Sequence, residues 1–501
     1  MLCVTLAHGS HKRDILEHQK VADERIPLVE LRLDLLRKPP ELHRLLPTRP
    51  TPVIITVRRR SDGGFWQDTE EKRLRLLRNV IVEGADYVDL EMDIAASIPR
   101  YGKTKRIVSY HNFEETPRDL LGLHQQMMAC DPDVVKIAAN PQSISDVFRM
   151  IEFMKKVNRP GVKVPTVAIS MGEMGVLTRI LGGKYGAPFS YCSYSKGRRV
   201  APGMVDYRTM RDVYGYDQIN SETEIYGVIG HPIGHSLSPH IHNMAFRDRK
   251  LNKVYLPFLI PPSELATFIA KAPSLGIRGL SVTIPHKVEV IQELTNMEPA
   301  VEEINACNTI LFQANAILGD NTDYLGALHS IERAMSTTSD VGNPISGKQA
   351  LVLGAGGAGK AIAYGLRSRG ANVTLCDGKD DLAEEVARKL RIHHCPWSER
   401  QDIFVDILCN CTPIGMFPNV DVMPIDMKAL RNRMYVFDAV YNPENTWLLR
   451  AARERGCKVI SGVEMFSEQA ALQFKQFTGE DIPIATMRSF VDRAFASVKG
   501  C

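Results

Sequence analysis

The sequence of 501 residues lacks the marks of several protein classes. Its ten cysteines form no Cys-x-x-Cys pair, so neither a disulfide scaffold nor a zinc ribbon is expected, and free thiols in a reducing compartment are the simplest reading. No apolar run approaches the ~20 residues a bilayer-spanning helix requires. The opening Met1-Leu-Cys-Val-Thr-Leu-Ala7 has neither the charged flank nor the apolar length of a signal peptide. A formal net charge of +4 is too small for a nucleic-acid-binding surface. The basic runs Arg58–Arg60 and Lys196–Arg199 are short and by themselves fit solvated surface. There is no internal repeat, no low-complexity segment and no metal-ligand cluster. These absences leave a globular, cytoplasmic protein with no nucleic-acid or membrane partner; oligomeric state is not legible.

What is present is an ordinary globular composition, 44% apolar and 24% charged, on a chain too long for one core. Over residues 1–217, short β-branched runs alternate with longer amphipathic stretches. Strands are expected at Leu2–Ala7, Leu28–Asp34, Pro52–Arg58, Tyr87–Met92, Arg106–His111, Val134–Ala139, Thr166–Met171 and Phe189–Ser193. Eight such units with helical spacers suit a (β/α)8 barrel; an open doubly wound sheet is the alternative. Glu30, Arg32, Arg58, His111 and Lys136 lie at or just past carboxy ends of these strands, where barrels build active sites. A polar linker at 218–224 precedes a second α/β region. The composition changes again near Asn343-Pro-Ile-Ser-Gly347, dividing that region into 225–340 and 341–482.

Gly354-Ala-Gly-Gly-Ala-Gly359 follows an expected strand and opens an expected helix, Lys360–Arg369. Glycines in that setting let a backbone approach a pyrophosphate at a helix amino terminus. The next strand, Asn372–Cys376, ends at Asp377. An acid at that spacing suits the ribose 2′-hydroxyl of NAD, and a turn or cap residue is an equally good reading.

Two further groups carry chemistry. Ser236, Ser238, Thr283, Asn308 and Thr309, with Lys287 and Asp323, would make a hydroxyl-rich pocket for a polyhydroxylated acid, in which a Lys–Asp pair relays a proton. A surface salt bridge is the plainer alternative. In the barrel, Lys136 could form an iminium with a ketone if burial or a neighbouring cation keeps it partly neutral, with His111 as acid and base. A lysine snorkelling from the barrel mouth is the plainer alternative there.

Two resemblances connect these groups. Residues 1–217 resemble type I 3-dehydroquinate dehydratases through Glu30-Leu-Arg32-Leu-Asp34, Thr56-Val-Arg58, Gly63-Gly64, Ser109-Tyr-His111, Lys136-Ile-Ala138, Ser170-Met-Gly172, Arg179 and Ala201-Pro-Gly203. Residues 225–501 resemble shikimate dehydrogenases through Ser236-Leu-Ser238-Pro239, Val282–Lys287, Asn308-Thr309, Gly319–Asp323, Gly354–Ala358, Asn410–Met416, Tyr441-Asn-Pro443, Gly462 and Gln469. The resemblances imply a (β/α)8 barrel followed by a two-lobed region with a Rossmann-type domain, the 225–340 lobe being completed by a carboxy-terminal helix at about 483–501. They imply a bifunctional shikimate-pathway enzyme, taking 3-dehydroquinate to 3-dehydroshikimate and then to shikimate. Lys136 would form the Schiff base and His111 would move the protons. Glu30, Arg32, Arg58 and Arg179 would position the substrate. Lys287 and Asp323 would be the catalytic pair of the dehydrogenase, with Ser236, Ser238, Thr283, Asn308 and Gln469 holding its substrate. The intact serines and threonine favour shikimate over quinate. Gly354, Ala355, Gly356, Gly357 and Ala358 would hold the cofactor pyrophosphate; Ala439, Tyr441 and Gly462 would line the nicotinamide side.

The chain departs from both patterns. Dehydrogenases of this kind usually carry Asn-Arg after the second strand, the arginine gripping the 2′-phosphate of NADP; here Asp377 and Gly378 stand there, and Lys379 is no equivalent of a guanidinium fork. The family implies NADP(H), whereas these residues lean toward NAD(H). In the barrel, Asp62 replaces the glutamate that orients the histidine. Val200 and Met204 replace a serine and a glutamine of the lid loop that touch substrate. These changes motivate an alternative, an active dehydrogenase fused to a catalytically impaired, regulatory or binding barrel.

Overall fold

The computed structural model describes residues 1–195, 197, 200–336 and 342–499, which form two compact units. The first comprises Met1–Ile225, His231–Gly234 and Lys250–Gly276; the second comprises Tyr226–Gly230, His235–Arg249 and the chain from Ile277 onward. Lys196, Arg198 and Arg199 of the second basic run, the division expected at 340/341 and the last two residues of the expected closing helix lie outside the described residues.

Eight parallel strands form the body of the first unit. They are β1 (Leu2–Leu6), β2 (Leu28–Arg32), β3 (Val53–Thr56), β4 (Tyr87–Glu91), β5 (Lys105–Asn112), β6 (Val134–Ala139), β7 (Thr166–Ser170) and β8 (Ser190–Ser193). They run in chain order, with β8 returning to pair with β1, as a near-closed barrel. The open-sheet alternative is set aside. Most of these strands are buried along their whole length, because barrel strands are covered on both faces.

Side chains that alternate inward stack in layers. One layer is apolar: Cys3, Leu28, Ile54, Ile107, Val134 and Phe189, with Tyr87 against them. Two residues further along the strands come Thr5, Glu30, Thr56, Asp89, Ser109, Lys136 and Tyr191, all buried. The next step brings Arg32, Arg58, Glu91 and His111. Arg58 is therefore buried, not the solvated residue its basic run suggests, because strand geometry turns it inward while Arg60 is exposed. A further strand, β10 (Lys253–Leu259), and the helix Leu265–Lys271 belong to this unit. Phe268 of that helix stacks on Phe148 at 5.8 Å, and Glu264 accepts from the Ile144 amide at 2.8 Å.

The second unit has two sheets. One contains β9 (Glu224–Gly230), β11 (Ile277–Val282), β12 (Asn296–Met297), β13 (Thr309–Gln313) and β14 (Ala316–Asp320), in the order β9-β11-β13-β14-β12. The other is parallel throughout: β15 (Gln349–Leu353), β16 (Asn372–Cys376), β17 (His393–His394), β18 (Ile407–Asn410), β19 (Tyr435–Asp438) and β20 (Lys458–Ile460). Its order, β17-β16-β15-β18-β19-β20, is the 3-2-1-4-5-6 arrangement of a dinucleotide-binding sheet, with the switch point between β15 and β18. The helix after β15 spans Gly357–Ser368. It starts three residues before the expected Lys360 because Gly356 takes the extended N-cap conformation. The helix Ile484–Lys499 packs on the helices Ser238–Asp248 and Gly462–Thr478.

The expectation of free thiols is corrected at one place. Cys376 and Cys395 form a disulfide, their Cα atoms 5.5 Å apart. They come together because β16 and β17 are adjacent, a proximity that sequence spacing does not reveal. Among the described residues no helix is long and apolar enough to cross a membrane.

Candidate active sites

Within the barrel, Asp89 lies at the centre of a buried charge network. Its Oδ2 accepts from Lys136 Nζ at 2.9 Å. Its Oδ1 accepts from Ser109 Oγ at 2.6 Å and lies 2.8 Å from Arg58 Nη2. Arg58 Nη1 also donates to Glu91 at 3.0 Å, and Glu91 pairs with buried Arg73 at 2.8 Å. Glu30 accepts from Thr5 and Thr56 at 2.7 and 2.8 Å and stands 3.9 Å from Lys136. The Lys136 ammonium sits 4.2 Å from the centroid of the Tyr191 ring. Burial alone would push the Asp89 carboxyl up, but Arg58 and Lys136 outweigh that and hold it well below the usual carboxylate range. Burial, reinforced by Arg58 and Lys136, pushes His111 well below its ordinary value, so the imidazole is neutral at pH 7 and able to accept a proton.

Several polar atoms of this unit are buried without a hydrogen-bond partner: His111 Nδ1, Arg179 Nε, Ser170 Oγ, Ser193 Oγ and the Tyr191 hydroxyl. Buried polar groups are normally paired; Asp14 Oδ1, Arg106 Nε, Arg149 Nε and the Tyr216 hydroxyl elsewhere in the unit lack a partner as well. Arg32 is held by Asp34 through two hydrogen bonds, 3.0 and 2.8 Å. Asp62 accepts from Arg59 and from Ser61, which directs its carboxylate to its own turn. Gly64 is needed there, since a Cβ would lie 2.1 Å from the Arg58 carbonyl oxygen. The Ala201-Pro-Gly203 loop is anchored where the Gly172 amide and Arg179 donate to the Pro202 carbonyl. Met204 is buried in the same apolar cluster as Tyr191 and Met171, with Val200 packed against it.

In the second unit, Lys287 follows β11 and Asp323 opens the helix Thr322–Met335. Lys287 Nζ donates to Asp323 Oδ2 at 2.6 Å, and Asn308 Nδ2 donates to Asp323 Oδ1 at 2.8 Å. The Asp323 amide donates to the N-cap Asn321 at 3.0 Å, which fixes the carboxylate at the helix start. Gln473 supports this group by donating to Thr309 Oγ1 at 2.9 Å and accepting from Ser281 Oγ at 2.8 Å. Ser236 accepts from the Ser238 amide at 3.3 Å at the start of the helix Ser238–Asp248. Gln469 is buried on the helix Gly462–Thr478, which passes so close to Thr322–Met335 that a Cβ on Gly326 would lie 2.9 Å from the Gln469 amide nitrogen.

At the switch point of the parallel sheet, a cavity of about 380 Å³ is lined by Gly354, Gly356, Asp377, Gly378, Trp397 and Cys411–Ile414. A Cβ on Gly359 would lie 1.7 Å from the Gly354 carbonyl oxygen, so the turn exists only with glycine. The helix opens at Gly357, so its first backbone amides have no partner within the helix, the arrangement in which a helix start can take an anion. Asp377 accepts from the Ala355 amide at 2.7 Å and the Lys379 amide at 2.8 Å, tying the glycine loop to the end of β16. Gly462 lies against the Ala439 and Val440 carbonyls, where a Cβ would come within 2.7 Å. Tyr441 stacks on Phe466 at 5.8 Å.

Residues 2–221 match the model of the type I 3-dehydroquinase family, residues 228–310 that of the shikimate dehydrogenase substrate-binding domain, and residues 462–489 that of the shikimate 5′-dehydrogenase carboxy-terminal domain. A bifunctional 3-dehydroquinate dehydratase/shikimate dehydrogenase, chloroplastic, from Arabidopsis thaliana is 35% identical over 96% of this chain and 83% of its own length. The chain belongs to this bifunctional family. It joins a type I dehydroquinase domain, a lyase, to a shikimate dehydrogenase, an oxidoreductase. Over the second domain, shikimate dehydrogenase (NADP(+)) of Pelobacter propionicus is 39% identical, covering 55% of this chain and 99% of that protein. A shikimate dehydrogenase solved with NADP+ matches 55% of this chain and 96% of its own, with 36% identity and a TM-score of 0.51. The Listeria monocytogenes enzyme solved with shikimate and NAD matches 55% and 98%, with 29% identity and a TM-score of 0.50.

In this bifunctional chain, the structure groups Glu30, Arg58, His111 and Lys136 in one barrel interior and joins Lys287, Asp323 and Asn308 directly. It leaves Asp62 paired with Arg59. Asp89, Glu91, Tyr191, Gln473 and Trp397 were not singled out from the sequence. Asp89 and Glu91 had a signal: acids at period two inside an otherwise apolar strand point to the inward face. Gln473 had none, because its partners lie more than 160 residues away in sequence.

Proposed function

We propose that the barrel dehydrates 3-dehydroquinate to 3-dehydroshikimate and that the second unit reduces that product to shikimate. The observation carrying the first step is Lys136 buried beside Asp89 with a neutral His111 in the same barrel. The Lys136 amine adds to the ketone carbon and water leaves, giving an iminium. His111 removes the proton from the adjacent carbon, and the electron pair moves into the iminium. The hydroxyl on the next carbon then departs as water, taking the proton from His111, and water hydrolyses the imine to release Lys136. Glu30, Arg32, Arg58 and Arg179 hold the substrate hydroxyls and carboxylate, guanidinium groups suiting a carboxylate through paired hydrogen bonds.

In the second unit, a nicotinamide dinucleotide held at the glycine loop would supply hydride to the ketone. The Lys287–Asp323 pair supplies the proton that converts the developing alkoxide to the alcohol. Ser236, Ser238, Thr283, Asn308 and Gln469 hold the substrate; Gly354–Ala358 hold the pyrophosphate; Ala439, Tyr441 and Gly462 line the nicotinamide side. On this reading the chain divides into a barrel, 1–217, a linker, 218–224, a substrate-binding domain, 225–340 completed by about 483–501, and a dinucleotide-binding domain, 341–482. The Pelobacter propionicus relative is named for NADP(+) and the Listeria monocytogenes enzyme is solved with NAD; the adenosine end here favours NAD(H), because the Asp377 carboxylate repels a 2′-phosphate and Gly378 offers no cation. Kinetics with NADH and NADPH test this: kcat/KM is expected to be higher with NADH, and Asp377→Asn with Gly378→Arg should shift preference toward NADPH. A wild-type preference for NADPH would refute the assignment of Asp377.

A further inference from the structure

We infer that the adenine ring of the dinucleotide stacks on Trp397, an inference that rests on the cofactor reading above. In a 3-2-1-4-5-6 sheet the pyrophosphate lies over the first strand and the adenosine extends toward the second and third. Here β15 is the first strand, and β16 and β17 are the next two. β16 ends at Cys376, followed by Asp377 and Gly378; β17 ends at His394, and three residues later comes Trp397. β16 and β17 are parallel, so both carboxy ends emerge on the cofactor side. The cavity records the result: Gly354 and Gly356 line it together with Asp377, Gly378 and Trp397. Gly378, without a side chain, leaves width for a flat ring.

The indole is held as a fixed wall. Its own amide donates to Asp380 at 3.0 Å. The Arg400 guanidinium covers the ring at 4.1 Å from its centroid while donating to the Trp397 carbonyl at 2.6 Å and the Pro424 carbonyl at 2.7 Å. The Cys376–Cys395 disulfide joins the residue before Asp377 to the segment that leads into Trp397. The ring is only partly buried, at the edge of the core formed by residues such as Leu351, Cys376 and Leu448. A fixed, partly exposed aromatic surface beside a ribose-binding acid is a platform for a base, since every base offers a π-face to stack.

The test uses the full chain and two ligands, 5′-AMP and NADH, with Trp397→Leu and Trp397→Phe. Titration calorimetry reads AMP affinity and steady-state kinetics reads the NADH KM. The Leu variant should bind AMP about tenfold more weakly and raise the NADH KM by a similar factor, whereas Phe should retain most of both. AMP should also change the fluorescence of the wild type, one of whose three tryptophans is Trp397, and not that of the Phe variant. A Leu variant with wild-type AMP affinity and NADH KM would overturn the role of Trp397 and leave the dehydrogenase reading standing. A wild-type protein that binds neither AMP nor any nicotinamide dinucleotide would overturn both.

Discussion

Asp89 of β4 and Lys136 of β6 lie 2.9 Å apart across Ser109 of β5 in the polar layer inside the barrel, and the same carboxylate meets Arg58 at 2.8 Å. One acid thus balances two buried cations. Its removal leaves Lys136 with Glu30 at 3.9 Å and Arg58 with Glu91 at 3.0 Å, and breaking a buried pair is costly even so. Asp89→Asn should destabilise the barrel by about 3–5 kcal/mol and abolish dehydration, while reduction in the second unit persists. The sign of the pH dependence follows from the shift. Asp89 is held below the ordinary carboxylate value of ~3.9, so its contribution is complete above that value and is lost as pH falls through the lowered one. Denaturant titrations of wild type and variant should therefore differ by a constant amount from neutral pH down to about 5 and converge in stronger acid.

The neutral state of His111 makes a second prediction. Because burial, Arg58 and Lys136 depress its pKa, the imidazole stays unprotonated as pH falls through ~6.5. The dehydratase kcat/KM, which reports free-enzyme ionisations, should show no His111 limb near that pH, and the acid limb should lie well below it. A limb centred near 6.5 would remove His111 as the buried base.

In the second unit, Lys287→Ala should depress reduction by roughly 10²–10⁴-fold with the dehydratase rate retained, as separate assays of the two reactions would register. A near-normal reduction rate would take Lys287 out of the proton transfer.

The lid changes have a measurable cost. By the resemblance, Val200 and Met204 stand where the family's serine and glutamine touch substrate, and each missing hydrogen bond would be worth about 1 kcal/mol. Val200→Ser with Met204→Gln should lower the dehydratase KM by about thirtyfold. Burial of Met204 beside Tyr191 sets a limit, so thermal melting should accompany the kinetics.

Much of this architecture was legible in the residues. The β-branched runs gave the eight barrel strands within one to two residues, because parallel strands buried on both faces are nearly continuous apolar segments. The glycine fingerprint located β15 and its helix. What escaped reading was set by tertiary proximity. The Cys376–Cys395 pairing depends on β17, a strand of two residues too short to carry a periodicity. Trp397 follows that same strand and was invisible for the same reason. The diversion of Asp62 to Arg59 depends on a turn conformation that spacing does not encode. Asp89 was readable from strand alternation once β4 was assigned.

The most direct test of two successive sites in one chain is a coupled assay. The purified full chain is given 3-dehydroquinate and NADH, with loss of reduced cofactor followed, alongside Lys136→Ala. The wild type should consume cofactor. The variant should consume none with dehydroquinate and recover when 3-dehydroshikimate is added. A wild type that reduces added dehydroshikimate but stays inert with dehydroquinate would contradict the account and leave the barrel a dehydratase fold without dehydratase activity.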